Sequence, residues 1–223
     1  MSILGRIWRR LRGFNSGHYW ESRYFAGGNS GAGSYGRLAE FKSEVINQIL
    51  KDNDIQTVVD WGVGDGNQLT MLNIPNYTGV DVSQTIVDRA RDVWKSDASK
   101  QFLHTSEMPL TESRDLSMSI DVIFHLVEDR IFNQYMERLV NGSKKFILVY
   151  SSNYAGTRVA GHHVLHRKFT DWIESNAPIF KLKEHIKNRY PFDESDQDNT
   201  SFADFFLFEK LAKERLQPIS TGG

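Results

Sequence analysis

The 223-residue chain predicts one α/β domain built on a doubly wound, seven-stranded sheet, with five parallel strands and a terminal antiparallel hairpin. Three observations predict it. Short apolar runs alternate with helical patterns between Thr57 and Ser152. A bare turn, "GVGDG", follows the first apolar run directly. Near the end, two strand-like segments are joined only by the polar insert "PFDESDQDNT".

Composition suits such a domain and narrows its function. Hydrophobic residues make up 39% and charged residues 25%, and the net charge is -1, so no global charge favours nucleic acid. Cysteine is absent, which excludes disulfides, thiolate nucleophiles and cysteine-based zinc sites and fits a reducing cytoplasm. No apolar run reaches the roughly 18 residues of a membrane span. "MSILGRIWRRLRG" is a poor signal peptide, lacking a long apolar core and a small-residue cleavage site.

The elements follow in order. Ile3, Leu4, Ile7, Trp8 and Leu11 share one helical face, and Arg6, Arg9 and Arg10 share the other. Residues 1–14 therefore read as a basic amphipathic helix, suited to the inner face of a membrane or to a protein partner. Residues 15–37 hold six of the 17 glycines and five aromatics, Tyr19, Trp20, Tyr24, Phe25 and Tyr35. Flexible backbone with large anchors reads as a lid loop that orders over a ligand. Residues 38–213 form the main domain, which holds the sheet, and 214–223 a tail. An apolar stripe of Leu38, Phe41, Val45, Ile46, Ile49 and Leu50 marks the first domain helix. "TVVDWG" is a strand, Asn67 to Leu72 a short helix, and "YTGVDV" a second strand. Ser83 caps a helix running to about Trp94. "QFLHT" and "DLSMSI" are the third and fourth strands, the latter with Leu116, Met118 and Ile120 on one face. A helix from about Glu128 stops at Asn141-Gly142, and "KKFILVYSS" is a buried fifth strand. After a helix near Arg167 to Ser175 come "FKLKEHIKNRY" and "SFADFFLFEKL", the hairpin.

In a doubly wound sheet, ligands bind beyond the carboxyl ends of the strands. Gly62, Gly64 and Gly66 lie there and let a ligand approach the main chain. Asp81 ends the second strand, where an acid accepts ribose hydroxyls, with Val82 beside it. A dinucleotide loop carries a third small residue where this chain has Asn67, and Asp60 and Asp65 repel a pyrophosphate. The loop suits S-adenosylmethionine (SAM), which has a sulfonium, an ammonium and a ribose but no phosphate. Asp60 takes the ammonium side and Asp81 the ribose, while Arg23 and Arg37 are candidates for the carboxylate. Asp65 and Gln68 either serve the cofactor or simply cap the short helix.

These motifs resemble class I SAM-dependent methyltransferases. "VVDWGVGDG" is similar to their first motif, "GVDVS" to their second and "DLSMSIDVIFHL" to their fourth, and the hairpin resembles their sixth and seventh strands. The likeness spans about Trp20 to Leu211 and implies a Rossmann-like methyltransferase fold with SAM as cofactor. Trp61 departs from the motif, where a small or aliphatic residue is commoner, and its ring is expected against the lid. "YWESRYFAGGNSGAGSYGRLAEFK" and "HVLHRKFTDWIESNAP" resemble bacterial methyltransferases that accompany surface-polysaccharide enzymes. That likeness implies O-methylation of a sugar or glycan-linked acceptor.

Candidate catalytic groups are Asp121, at the end of the fourth strand, and His125 just beyond it. "SSNYAGTRVAGHHVLHR" adds His162, His163 and His166 as bases, and Arg158 and Arg167 as clamps for an anionic acceptor. Metal binding and a solvated basic loop are the other readings of that stretch. A histidine base predicts activity that rises through roughly pH 6–7. Two other functions fit the same sheet: a nicotinamide-dependent oxidoreductase, and a non-catalytic SAM-fold subunit of a membrane-associated glycan assembly. Oligomeric state is open.

Overall fold

The computed structural model describes residues 14–109, 111–156 and 163–212. The amphipathic helix expected before Phe14, the tail 214–223, Arg158 and His162 lie outside the described residues.

Helix α1 (Ser16–Phe25) comes first, then α2 (Gly36–Asp52), β1 (Thr57–Trp61), β2 (Asn76–Asp81), α3 (Gln84–Val93), β3 (Lys100–His104) and β4 (Arg114–Ile120). Helix α4 (Asp129–Asn141), β5 (Ser143–Ser151), α5 (Phe169–Asn176), β6 (Phe180–Ile186) and β7 (Asp204–Lys210) complete the domain. The sheet order is β3-β2-β1-β4-β5-β7-β6. Strands β1 to β5 run parallel, and β7 lies antiparallel between β5 and β6. The chain leaves β1 in one direction and returns to β4 on its other side, which opens a crevice at their carboxyl ends.

Alternate residues of each central strand face opposite apolar layers. Val58, Leu148 and Tyr150 join Phe41, Ile46 and Ile49 of α2 on one side. Val59, Ile147 and Val149 join Phe132, Met136 and Leu139 of α4 and Phe169 and Ile173 of α5 on the other. Strand β4 alternates as its pattern predicts, yet Ser117 and Ser119 are buried too. Each has a partner: Trp61 Nε1 donates to Ser117 Oγ at 3.0 Å, and the Tyr135 hydroxyl lies 2.7 Å from both Ser119 Oγ and the Trp61 carbonyl. The Trp61 ring thus belongs to the α4 layer and not to the lid, because its N–H is satisfied inside the sheet.

The segment 15–37 is only half a loop. Asn15 accepts the His18 N–H at 2.7 Å and starts α1, and no glycine interrupts the chain from His18 to Ala26. The glycines cluster after it, around a single short turn at Ala32–Ser34. Glu21 ties α1 to the start of α3, accepting from the Ser83 and Thr85 hydroxyls. A carboxylate at a helix N-terminus is favoured there, and these hydrogen bonds hold it below its ordinary range. Ser16 N–H donates to Glu128 at 2.8 Å and fixes the other end of α1.

Candidate functional site

A cavity of about 290 Å³ opens where β1, β2 and β4 end, roofed by α1. Gly62 and Gly64 form its floor with φ of +97° and +58°, and Gly66 has φ of +77°. All three conformations suit glycine. The protein itself also demands these glycines. A Cβ on Gly62 would collide with Val122, one on Gly64 with Ser30, and one on Gly66 with the Trp94 ring. Gly66 faces that ring and does not line the cavity.

Three acids line the cavity. Asp81 accepts Gly64 N–H at 3.0 Å and Ser83 N–H at 2.9 Å, and burial raises its pKa. Asp60 accepts the Tyr77 hydroxyl at 2.8 Å through Oδ2, while its buried Oδ1 has no partner. Burial pushes this carboxyl up to about 7, although the Tyr77 bond opposes the rise. Gln68 gives its amide N–H to the Ala39 carbonyl and Ser43 Oγ, and its buried Oε1 is likewise unpartnered. Two orphaned acceptors on one cavity call for a ligand that brings N–H donors or positive charge.

The third acid, Asp121, adopts φ of +59° and accepts Lys42 Nζ at 2.5 Å. Lys42 was not among the sequence candidates. Its signal was present: it stands four residues from both Leu38 and Ile46, inside the apolar stripe of α2.

His125 lines the cavity beside Trp20, whose ring meets it edge-on at 4.9 Å. Its Nδ1 lies 3.0 Å from the His163 carbonyl. A carbonyl only accepts, so Nδ1 carries the proton and Nε2 is the basic nitrogen. Burial lowers its pKa to about 4. With its pKa lowered to about 4, His125 is not expected to produce a rise of activity through pH 6–7.

Other predicted residues fall elsewhere. Val82 sits at the exposed rim. Asp65 turns from the cavity to the lid loop, where it accepts Ser30 N–H at 2.7 Å and the Tyr35 hydroxyl at 2.8 Å. Arg37 pairs with Asp196 at 3.1 Å and Arg23 donates to the Asn29 carbonyl at 2.6 Å, so neither reaches the cavity. Arg167 does not line the cavity: Nε donates to the Leu126 carbonyl and Nη1 to Asp129 over the Phe132 ring, while the buried Nη2 has no partner. His163 stacks between Tyr19 and His125. His166 bonds Ser152 Oγ at 2.8 Å and stacks on Tyr154, off the cavity. Of the five candidate bases, Asp121 and His125 are the two that line the cavity among the described residues. No cluster of three or more metal-ligating side chains occurs among those residues.

No protein-family model matches the chain, and no curated protein matches it in sequence. Solved structures do match. The N-methyltransferase NodS from Bradyrhizobium japonicum WM9, in complex with S-adenosyl-L-homocysteine (SAH), aligns over 88% of this chain and 99% of its own with a TM-score of 0.63 and 14% identity. The methyltransferase domain of bacterial CtHen1-C aligns over 77% and 97%, with a TM-score of 0.57 and 20% identity. Magnesium protoporphyrin IX methyltransferase from Synechocystis PCC 6803, with bound SAM, aligns over 94% and 92%, with a TM-score of 0.55 and 14% identity. With its sheet order, its antiparallel β7 and these neighbours, the chain has the seven-stranded Rossmann-like fold of class I SAM-dependent methyltransferases.

Proposed function

We propose that the chain is a SAM-dependent methyltransferase that methylates a hydroxyl of a sugar or glycan-linked acceptor. The observation that carries the cofactor assignment is the pair of unpartnered buried acceptors, Asp60 Oδ1 and Gln68 Oε1, beside the Gly62–Gly64 floor and Asp81. An ammonium answers the two acceptors, and a ribose diol suits the free lone pairs of Asp81. A pyrophosphate does not suit this site. Three acids face the cavity, and Asn67 is committed to the Ser34 carbonyl at 2.7 Å. The neighbours solved with SAM or SAH support the same choice.

SAM bound here supplies an electrophilic methyl on a sulfonium. The protein's own part is to align an acceptor oxygen with that methyl, exclude water and take a proton. Helix α1 does the excluding, with Trp20 and Tyr24 over the cavity. His125 takes the proton at Nε2, since Nδ1–H is engaged by His163. Burial lowers the His125 pKa to about 4, so at neutral pH the ring is unprotonated but a weaker base than an ordinary imidazole, and it takes the proton as the C–O bond forms and the acceptor oxygen turns acidic. Trp20 and Tyr24, which line the cavity, support a sugar acceptor, because an aromatic ring offers an apolar surface to the C–H face of a pyranose. The sequence likeness to methyltransferases of surface-polysaccharide systems supports it too, and the N-terminal basic residues suit work beside a membrane.

Calorimetry with SAH and with NAD tests the cofactor. Micromolar SAH binding is expected, and NAD binding without SAH binding overturns the reading. A cell-envelope extract incubated with methyl-labelled SAM tests the acceptor. Label is expected in the glycan fraction, and label confined to protein or nucleic acid would replace the acceptor class.

A further inference from the structure

Lys42 is 1% exposed, so its ammonium has left water, which costs several kcal/mol unless an anion answers it. Asp121 is that anion, at 2.5 Å, and the Tyr150 ring lies 5.4 Å from the charge. Asp121 itself is 21% exposed and is held on three sides. Its N–H donates to the Tyr150 carbonyl at 3.0 Å, Lys42 takes its Oδ2, and Gly33 of the lid loop approaches so closely that a Cβ would lie 3.4 Å from that oxygen. The left-handed backbone at Asp121 is costly for a residue with a side chain. A strained acid is thus presented to the cavity while a buried lysine occupies it.

The strand order sets what lies opposite. Asp81 ends β2 and Asp121 follows β4, with β1 between them, so about 10 Å separates the two acids. A cofactor with its ribose at Asp81 and its ammonium at Asp60 and Gln68 would direct its amino-acid end towards Asp121. That end carries an ammonium and a carboxylate. The ammonium has Asp60 and Gln68, but the carboxylate meets a third acid unless a cation stands between. Two cations line the cavity among the described residues. Arg138 is bonded to the Thr105 carbonyl beyond β3, at the far end. Lys42 is at the right end and has three donors, of which Asp121 takes one.

We propose that Lys42 is a shared counter-ion. It takes the cofactor's carboxylate and thereby loosens its hold on Asp121, which turns to the acceptor hydroxyl. Filling the amino-acid subsite then prepares the acceptor side, and cofactor binds before acceptor. The proposal rests on the methyltransferase reading, and its test separates the two.

The probes are SAH and 5′-methylthioadenosine, which keeps the nucleoside and lacks both the ammonium and the carboxylate. Calorimetry is run on wild type, Lys42→Met, Lys42→Arg, Asp121→Asn and the double variant Lys42→Met/Asp121→Asn. Lys42→Met is expected to weaken SAH about 10–100-fold, the worth of a charge-assisted bond, and to leave methylthioadenosine within about two-fold. Lys42→Arg is expected to recover much of the loss. Asp121→Asn removes the competing anion and is expected to tighten SAH about 3–10-fold, and the double variant, which lacks both the cation and the facing acid, is expected to bind SAH more tightly than Lys42→Met and more weakly than Asp121→Asn. Methylthioadenosine binding doubles as the check that each variant is folded. The counter-ion proposal is overturned if Asp121→Asn weakens SAH, or if Lys42→Met weakens both probes alike while Lys42→Arg does not rescue. If wild type binds neither probe, the methyltransferase reading falls and the proposal falls with it.

Discussion

His125 makes a stability prediction that can be worked from its surroundings. Its pKa falls from an ordinary 6.5 to about 4 because burial beside Trp20, Phe124 and His163 disfavours the charged ring, despite the His163 carbonyl that favours it. A histidine with a depressed native pKa stays neutral when folded and gains a proton more readily when unfolded. The native state is therefore undisturbed above about pH 6.5 and loses stability as pH falls towards 4. A tenfold difference in proton affinity between the unfolded and folded states is worth about 1.4 kcal/mol, so the loss attributable to this ring reaches about 2 kcal/mol at pH 5. The perturbation is His125→Gln, which keeps polar contact but does not titrate. Urea denaturation at pH 7.5, 6.5, 5.5 and 5.0 measures the difference between wild type and variant. Whatever packing the substitution costs is independent of pH, and other titrating groups are common to both proteins. Wild type is expected to lose about 2 kcal/mol more than the variant between pH 7.5 and 5.0. Parallel curves, or an imidazole NMR titration with a midpoint near 6.5, would show that the ring is not held neutral, and the assignment of Nε2 as a ready base would go with it.

Three further outcomes follow from the geometry. Asp81→Ala is expected to weaken SAH by about 1.5–3 kcal/mol in calorimetry, since a charged acceptor facing the ribose is lost, and unchanged affinity would remove Asp81 from the site. Gly66→Ala places a Cβ at φ +77° against the Trp94 ring, so chemical denaturation should show a loss of about 2 kcal/mol or more, and a neutral result would mean the turn can rearrange. Asp65→Ala removes the acceptor that holds Ser30 and Tyr35, so hydrogen exchange in residues 27–35 should quicken about 10–100-fold while the central strands hold their rate. Uniform acceleration would instead mean that Asp65 supports the whole domain.

The sheet and the glycine floor of the cavity were legible in the chain because they depend on local pattern. Apolar runs of strand length, Ser83 as a cap, Asn141-Gly142 as a stop and glycines after "VVDW" are each decided by neighbouring residues, and the elements found agree with them closely. The acid that closes β2 needed only the strand to be right. The polar partners were decided by tertiary structure, because they come from residues distant in sequence. Arg37 was free to reach the cavity until the insert before β7 supplied Asp196, which lies 159 positions away. Arg167 acquires its acidic partner, Asp129, only when α4 packs beside it. The lid's composition announced glycine and aromatic residues but not that Asn15 would cap a helix through the first half. Lys42 was hidden most completely. A lysine in an apolar stripe is an anomaly that has no meaning until the end of β4 arrives beside it, 79 residues later, with a carboxylate at 2.5 Å. Backbone pattern is a short-range property and survives in one dimension. Charge pairing in a cavity is set by which strands are adjacent, and only the folded sheet makes β1, β2 and β4 neighbours.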